Sequence, residues 1–199
     1  MKAPTGWNNV KPMTGESKEV LTEGGHGCVI TMAECITENW GGQDEEKLRL
    51  EIDIKEGSSL DGFYSRQFQK KLKFASNPKW PGEIKQSTTT KEGDTNPFFK
   101  GLITAIEDSN PGYNFERTGY DEKTLIGKKV GYVFRDEPFV ASDGAIVHYV
   151  KPAWACKYDE AKDQPIPTPK KVRGQRAESV SKVDFTQMQE AADVELPFE

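Results

Sequence analysis

Between residues 63 and 85 the chain gathers six basic side chains, five aromatic rings and a single acid, Glu83. The cations are Arg66, Lys70, Lys71, Lys73, Lys79 and Lys85; the rings are Phe63, Tyr64, Phe68, Phe74 and Trp80. Such a mixture suits a single nucleic-acid strand, because cations track the phosphates while rings stack on bases at ~1–3 kcal/mol each. Neutralised phosphates also make such binding fall with salt. The residues expected to contact single-stranded DNA are therefore Arg66, Phe68, Lys70, Lys71, Lys73, Lys79, Trp80 and Lys85, with Lys128 of the Lys128-Lys129 pair as a weaker addition. Trp80, beside Pro81-Gly82 in an expected loop, is the ring best placed to stack. The competing reading is a barrel strand whose aromatics fill a core while its lysines solvate the outer face.

A second constellation closes the chain. Residues 184–199 carry five acids and no Lys or Arg, and end Asp193-Val194-Glu195-Leu196-Pro197-Phe198-Glu199. Acidic residues before an aliphatic-Pro-Phe tip resemble the tails of bacterial and phage single-stranded-DNA-binding proteins. The resemblance implies that Asp193, Glu195, Leu196, Pro197 and Phe198 dock replication and repair partners. A flexible acidic peptide with one aromatic anchor can enter a basic-rimmed apolar pocket. The sequence departs from that family by placing Glu199 after the phenylalanine, so the ring does not carry the terminal carboxylate. The bland alternative is an acidic tail that aids solubility.

Other chemistry is poorly supplied. The two histidines, His26 and His148, have no Cys or carboxylate at ligand spacing, so neither a metal nor a cofactor is expected. His26 lies in Gly24-Gly25-His26-Gly27, a flexible loop by composition, and that glycine cluster lacks the Lys-Ser/Thr of a phosphate loop. Glu51 and Asp53 alternate with apolar residues and are expected to solvate a strand. No catalytic residue is assigned. A recombination nuclease would need three or more carboxylates converging in one cleft. Three cysteines, Cys28, Cys35 and Cys156, argue against a disulfide framework; the first two read as small core residues. With no signal-like run and no ~20-residue apolar stretch, a cytoplasmic protein without a membrane partner is expected.

The elements that must position these residues are readable in part. Cys28–Thr37 is β-branched and half apolar, a first strand. Lys47–Lys55 alternates four aliphatic with charged residues, the period of two of a strand with one face on a core. Phe63–Phe74 reads as extended. Asn96-Pro97 opens a helix, with a capping side chain before a proline fit for the first turn. Phe99, Leu102, Ile103 and Ile106 give that helix one apolar stripe, and Ser109-Asn110-Pro111-Gly112 ends it. Leu125–Phe134 reads as a strand bent at Gly127 and Gly131, and Ala145–Lys157 as the last strand after a turn at Ser142-Asp143-Gly144.

Two or three strands, a helix and two more strands predict a β-rich domain, a five-stranded OB-fold-like barrel with one intervening helix. A β-sandwich with a helical insertion is the alternative. The expected organisation is a loose arm at 1–24, a binding domain at 25–160, a basic Pro-containing disordered linker at 161–183 and the acidic tail at 184–199. A low apolar share, 35%, with mean hydropathy −0.73, agrees with a sizeable unfolded part. The net charge of −5 hides the basic linker beside the acidic end.

The runs Leu50–Gly57, Lys79-Trp80-Pro81-Gly82, Phe99–Glu107, Ser109-Asn110-Pro111-Gly112 and Leu125–Gly131 resemble a family of uncharacterised proteins of phages and prophages of Gram-positive bacteria. The resemblance spans roughly residues 25–155. It implies a phage origin and a setting in DNA replication and recombination, and supplies no catalytic residues. The expectation is a sequence-nonspecific single-stranded-DNA-binding protein that recruits replication and recombination proteins through its tail. Such proteins often form homo-oligomers, and the subunit number is left open. The rival is a protein–protein adaptor that does not bind DNA, which gains if the rings are buried.

Overall fold

The computed structural model describes residues 19–40 and 42–172. Strands β1 (Gly24–Trp40) and β2 (Gln43–Ile54) form a long hairpin, followed by helix α1 (Phe63–Leu72) and strand β3 (Glu83–Ser87). Helix α2 (Pro97–Ser109) leads to β4 (Lys129–Asp136), a short hairpin β5 (Phe139–Val140) and β6 (Ile146–Val147), and β7 (Val150–Cys156). Three 3₁₀ turns lie at Glu116–Thr118, Glu122–Leu125 and Tyr158–Asp163.

The large sheet is antiparallel throughout, in the order β3-β2-β1-β4-β7. Its edges β3 and β7 do not pair, so the five strands make an open OB-like sheet and not the closed barrel expected. A groove lined by β3, β7 and α2 separates the edges. The only other sheet among the described residues is the two-stranded hairpin, too small for the second layer of a sandwich.

The core follows the alternation of β2. Leu48, Leu50, Ile52 and Ile54 are buried beside Cys28, Ile30 and Ala33 of β1 and Val130, Tyr132 and Phe134 of β4. A bulge between Ile30 and Met32 shifts the register of β1. Beyond it Ala33 continues the inward row that Cys28 and Ile30 began, and Cys35, expected in the core, is exposed. Helix α2 lays Leu102, Ile103 and Ile106 onto this face. Its start is as read: the Asn96 side chain accepts from Phe98 N at 2.9 Å, with Pro97 in the first turn.

Three further expectations fail, each through a contact remote in sequence. Residues 63–72 are helical, not extended. Their N-cap position is Gly62, which has no side chain to offer, and the cap comes from Asp53, eleven residues before the Tyr64 amide it accepts. Asp53 Oδ1 accepts from Tyr64 N at 2.8 Å and from Ile54 N at 2.9 Å, while Oδ2 accepts from Ser65 N at 3.2 Å and from the Ser65 hydroxyl. Asp53 is thus buried, because the first turn of α1 covers the strand face it occupies.

The second failure concerns glycine. Gly131, expected as a bend, and Gly25, expected in a flexible loop, are places where Tyr158–Asp163 lies against the sheet. A Cβ on Gly25 would stand 1.6 Å from the Ala161 carbonyl oxygen, and one on Gly131 2.7 Å from that of Lys157. His26 therefore lies within β1, buried, and not in a loop. The third concerns the boundaries. Leu21 is buried in the core, Ala161 is fully buried, and Lys170 N donates to Asp136 O at 3.1 Å. The packed body therefore begins before residue 24 and extends past 160, because both flanking stretches hold specific partners on it.

Candidate nucleic-acid interface

The basic-aromatic run is built on α1 and the loop after it. Phe63 and Tyr64 are buried in the core at the start of the helix. One turn on, Phe68 packs against Trp80 with ring centroids 5.1 Å apart, and the Trp80 indole N–H donates to Ile52 O at 2.9 Å. Both rings are half-buried and Trp80 belongs to the core packing, so the tryptophan expected to stack on a base is instead tied to β2. An indole needs one partner for its N–H when buried, and the last carbonyls of β2 beyond β3 supply it.

Arg66 is likewise engaged. Its Nε donates to Glu19 Oε2 at 3.1 Å, Nη2 pairs with Glu19 Oε1, and the guanidinium also reaches the Asp61 and Ser59 carbonyls. The hydrogen bond to Glu19 raises Arg66 further, and its counterpart holds the Glu19 carboxyl below its ordinary range. This fork–fork pair ties the entry of the chain to α1 and neutralises the cation.

Lys70, Lys71, Lys73 and Lys79 differ. All four are exposed, and none has an ion-pair partner among the described residues. Lys70 and Lys71, in the last turn of α1, complement the partial negative charge of the helix C-terminus and keep their own charge outward. Between them stands Phe74, 89% exposed, with Leu72 also partly in water. No carboxylate occurs from residue 62 to residue 82. Phe74 belongs to the basic-aromatic run, and nothing local in the sequence marks it apart from the other rings. Its position just after the last helical residue, where no strand or helix covers it, is what exposes it.

Lys85 lies elsewhere, on the outer face of β1-β2-β3. It pairs with Glu38 and approaches Glu83 at 3.9 Å. On the same face Arg49 reaches Glu34, Glu83 and Glu51 at 2.6, 2.9 and 3.2 Å, and Lys47 reaches Glu38 and Glu45, both at 3.1 Å. Hydrogen bonds from these cations hold Glu38 and Glu45 below their ordinary range, the Ser87 hydroxyl being the largest cause for Glu45. Burial pushes Glu51 up. OB-folds hold oligonucleotides on the face of strands 2 and 3. Here that face carries the five acids just named against three bases, a surplus that opposes phosphate. Lys128 is separate again, its ammonium 4.5 Å above the Tyr113 ring beside the turn that ends α2.

Each histidine meets a carboxylate that sequence spacing hid. His26 Nδ1 lies 3.3 Å from Glu56 Oε2, and its Nε2 3.0 Å from the Thr22 carbonyl oxygen. His148 Nδ1 lies 2.6 Å from Asp136 Oδ2. Among the described residues no group of three His, Cys, Asp or Glu side chains converges as a metal site would require. The tail residues Asp193, Glu195, Leu196, Pro197 and Phe198 lie outside the described residues.

Lys70, Lys71, Lys73 and Lys79, unpaired among the described residues, flank the exposed Phe74 along the chain, a combination that attracts polyanions beside a ring free to stack, while the sheet's outer face carries the opposite charge. No protein-family model and no curated protein matches the chain.

Proposed function

We propose that this chain is a sequence-nonspecific single-stranded-DNA-binding protein that holds the strand at the exposed end of α1. The observation that carries the reading is Phe74, 89% exposed, among Lys70, Lys71, Lys73 and Lys79 in a stretch free of carboxylates. One base stacked on Phe74 is worth ~1–3 kcal/mol. Four phosphates neutralised on a single strand give a salt slope of about −3. A single ring and a small cationic patch suit a flexible strand, whose bases can turn out to the ring, better than a duplex with its bases inside.

The resemblance to phage proteins supports a setting in replication or recombination in a host cytoplasm, with the acidic tail recruiting partner proteins. No helix of the described residues is long and apolar enough to cross a membrane. A second reading, an adaptor that does not bind DNA, draws on the packing of Phe68 and Trp80; the lysines would then meet an acidic protein.

Fluorescence anisotropy of a labelled oligo-dT at low and moderate salt, with duplex in parallel, separates the two. The expected outcome is salt-sensitive binding that favours the single strand. Phe74→Ala should weaken it by about 5- to 160-fold, and Lys71→Glu with Lys73→Glu should flatten the salt slope. A folded protein that ignores oligo-dT at low salt overturns the reading in favour of the adaptor.

A further inference from the structure

The two unpaired sheet edges enclose a feature that the nucleic-acid reading does not use. A pocket of about 260 Å³ lies between β3 and β7, floored by Leu102 and Tyr132. Phe98, 71% exposed, and Trp154, 37% exposed, are among its lining rings. The pocket shares Pro97 and Phe98 with a neighbouring cleft towards the β1–β2 turn, and Gly101 and Ala155 with another along α2. The three thus form one groove running past the exposed side of α2, where Gly101 keeps the floor low.

We infer that this groove binds an extended, lysine- or arginine-rich peptide segment of a partner protein, anchored by one large apolar side chain between Phe98 and Trp154. Three features on the molecule specify that occupant. The strand edges at β3 and β7 have no neighbour among the described residues, so their outward N–H and C=O groups can pair with an added strand. The central pocket sets Leu102, Tyr132, Phe98 and Trp154 beside the polar Lys85 and Gln86 and has room for one large side chain. Its approaches are acidic.

The charge decides between occupants. Asp44, Glu45 and Glu92 line one end of the groove, and Asp108 and Glu160 the other. Against these five carboxylates stand Lys85, Lys91 and Lys157. Two of those lysines are already paired, Lys85 with Glu38 and Lys157 with Glu160, and Glu45 is paired with Lys47, which leaves Asp44, Glu92 and Asp108 against Lys91. A groove acidic at both ends with an apolar centre repels a nucleic-acid strand and repels the acidic residues 184–199 of this chain. It attracts a cationic peptide with an apolar middle. This surface is distinct from the lysines of α1, so its assignment does not depend on DNA binding.

The test uses the full-length protein and a short fluorescein-labelled peptide of alternating lysine and threonine with one central tryptophan. Anisotropy should report saturable binding that is lost when the peptide's lysines are replaced by glutamate or its tryptophan by serine. Trp154→Ser and Phe98→Ser should each weaken it at least about fivefold. The exposed change Glu92→Lys, which touches no packing, should weaken it also, and Lys71→Glu should leave it unchanged. The inference is overturned if the peptide fails to bind or if the acidic peptide binds equally well. It is also overturned if the wild type sediments as a dimer and the Phe98→Ser/Trp154→Ser chain as a monomer, since a second copy would then fill the groove. Loss of oligo-dT binding with peptide binding intact would strike only the single-strand reading.

Discussion

Asp53 shows how one side chain can decide the form of the segment that bears the candidate site. Its carboxylate takes the first free amides of α1, a capping role that a residue at the N-cap position would normally fill. Gly62 stands there and offers nothing. Removing Asp53 leaves three buried amides and a hydroxyl without an acceptor. Asp53→Ala is expected to cost about 2–4 kcal/mol, read as a lower urea midpoint. Asp53→Asn, which retains one acceptor oxygen, should cost less. If Asp53→Ala unfolds at the wild-type midpoint, the cap does not hold the helix.

At the scale of elements, the closing 3₁₀ turn Tyr158–Asp163 depends on missing side chains. Gly25, Gly27 and Gly131 sit side by side in β1 and β4, and Ala161 and Tyr158 fill the space above them. Adding a methyl group at Gly131 forces it against the Lys157 carbonyl oxygen and the Cys156 sulfur, at 2.7 and 2.8 Å. Backbone cannot step aside as a flexible side-chain tip can. Gly131→Ala is therefore expected to destabilise by about 1–3 kcal/mol and to speed amide exchange in residues 158–163. Gly127→Ala, at a left-handed φ of 82° with open space around it, should be felt through backbone strain alone, with no change in that exchange. Equal exchange in the Gly131→Ala chain would show that the turn is not seated as described.

Across the whole molecule, carboxylates fasten remote segments to the sheet. Glu19 pairs with Arg66, Glu56 meets His26 and Gly27 N, and Glu137 pairs with Lys170 and Arg135. Burial pushes Glu56 up, but the Ser58 hydroxyl, His26 and the Gly27 amide outweigh it and hold it below its ordinary range. Burial likewise raises Glu137, and Lys170 and Arg135 overcome it. A carboxyl whose folded pKa is lowered contributes stability that is complete above its unfolded value. That contribution is lost as pH falls through the folded value. The urea midpoint should thus hold above about pH 5 and decline below about pH 4, with a shallower decline for Glu56→Gln. A midpoint flat down to about pH 3 would show that these pairs contribute little.

The strands β1 and β2, the α2 helix with its Asn96-Pro97 start, and the run of cations with few acids were all legible in the sequence. Each is written locally, in a period of two, a period of 3.6, a cap beside its helix, or a charge count. The helical form of residues 63–72 left a weaker local trace in Gln67, Gln69, Lys70, Lys71 and Leu72, all good helix formers, but its cap lies on another strand. Tertiary structure alone decided which cations remain free and which rings reach solvent. Arg66 and Lys85 find acids 47 residues away in each case, and Trp80 finds a carbonyl 28 residues away. Among the described residues Lys70, Lys71, Lys73, Lys79 and Phe74 find none. Composition sets how much charge and apolar surface a chain carries; only folding, by bringing distant groups within hydrogen-bonding reach, determines which of it is left for a partner.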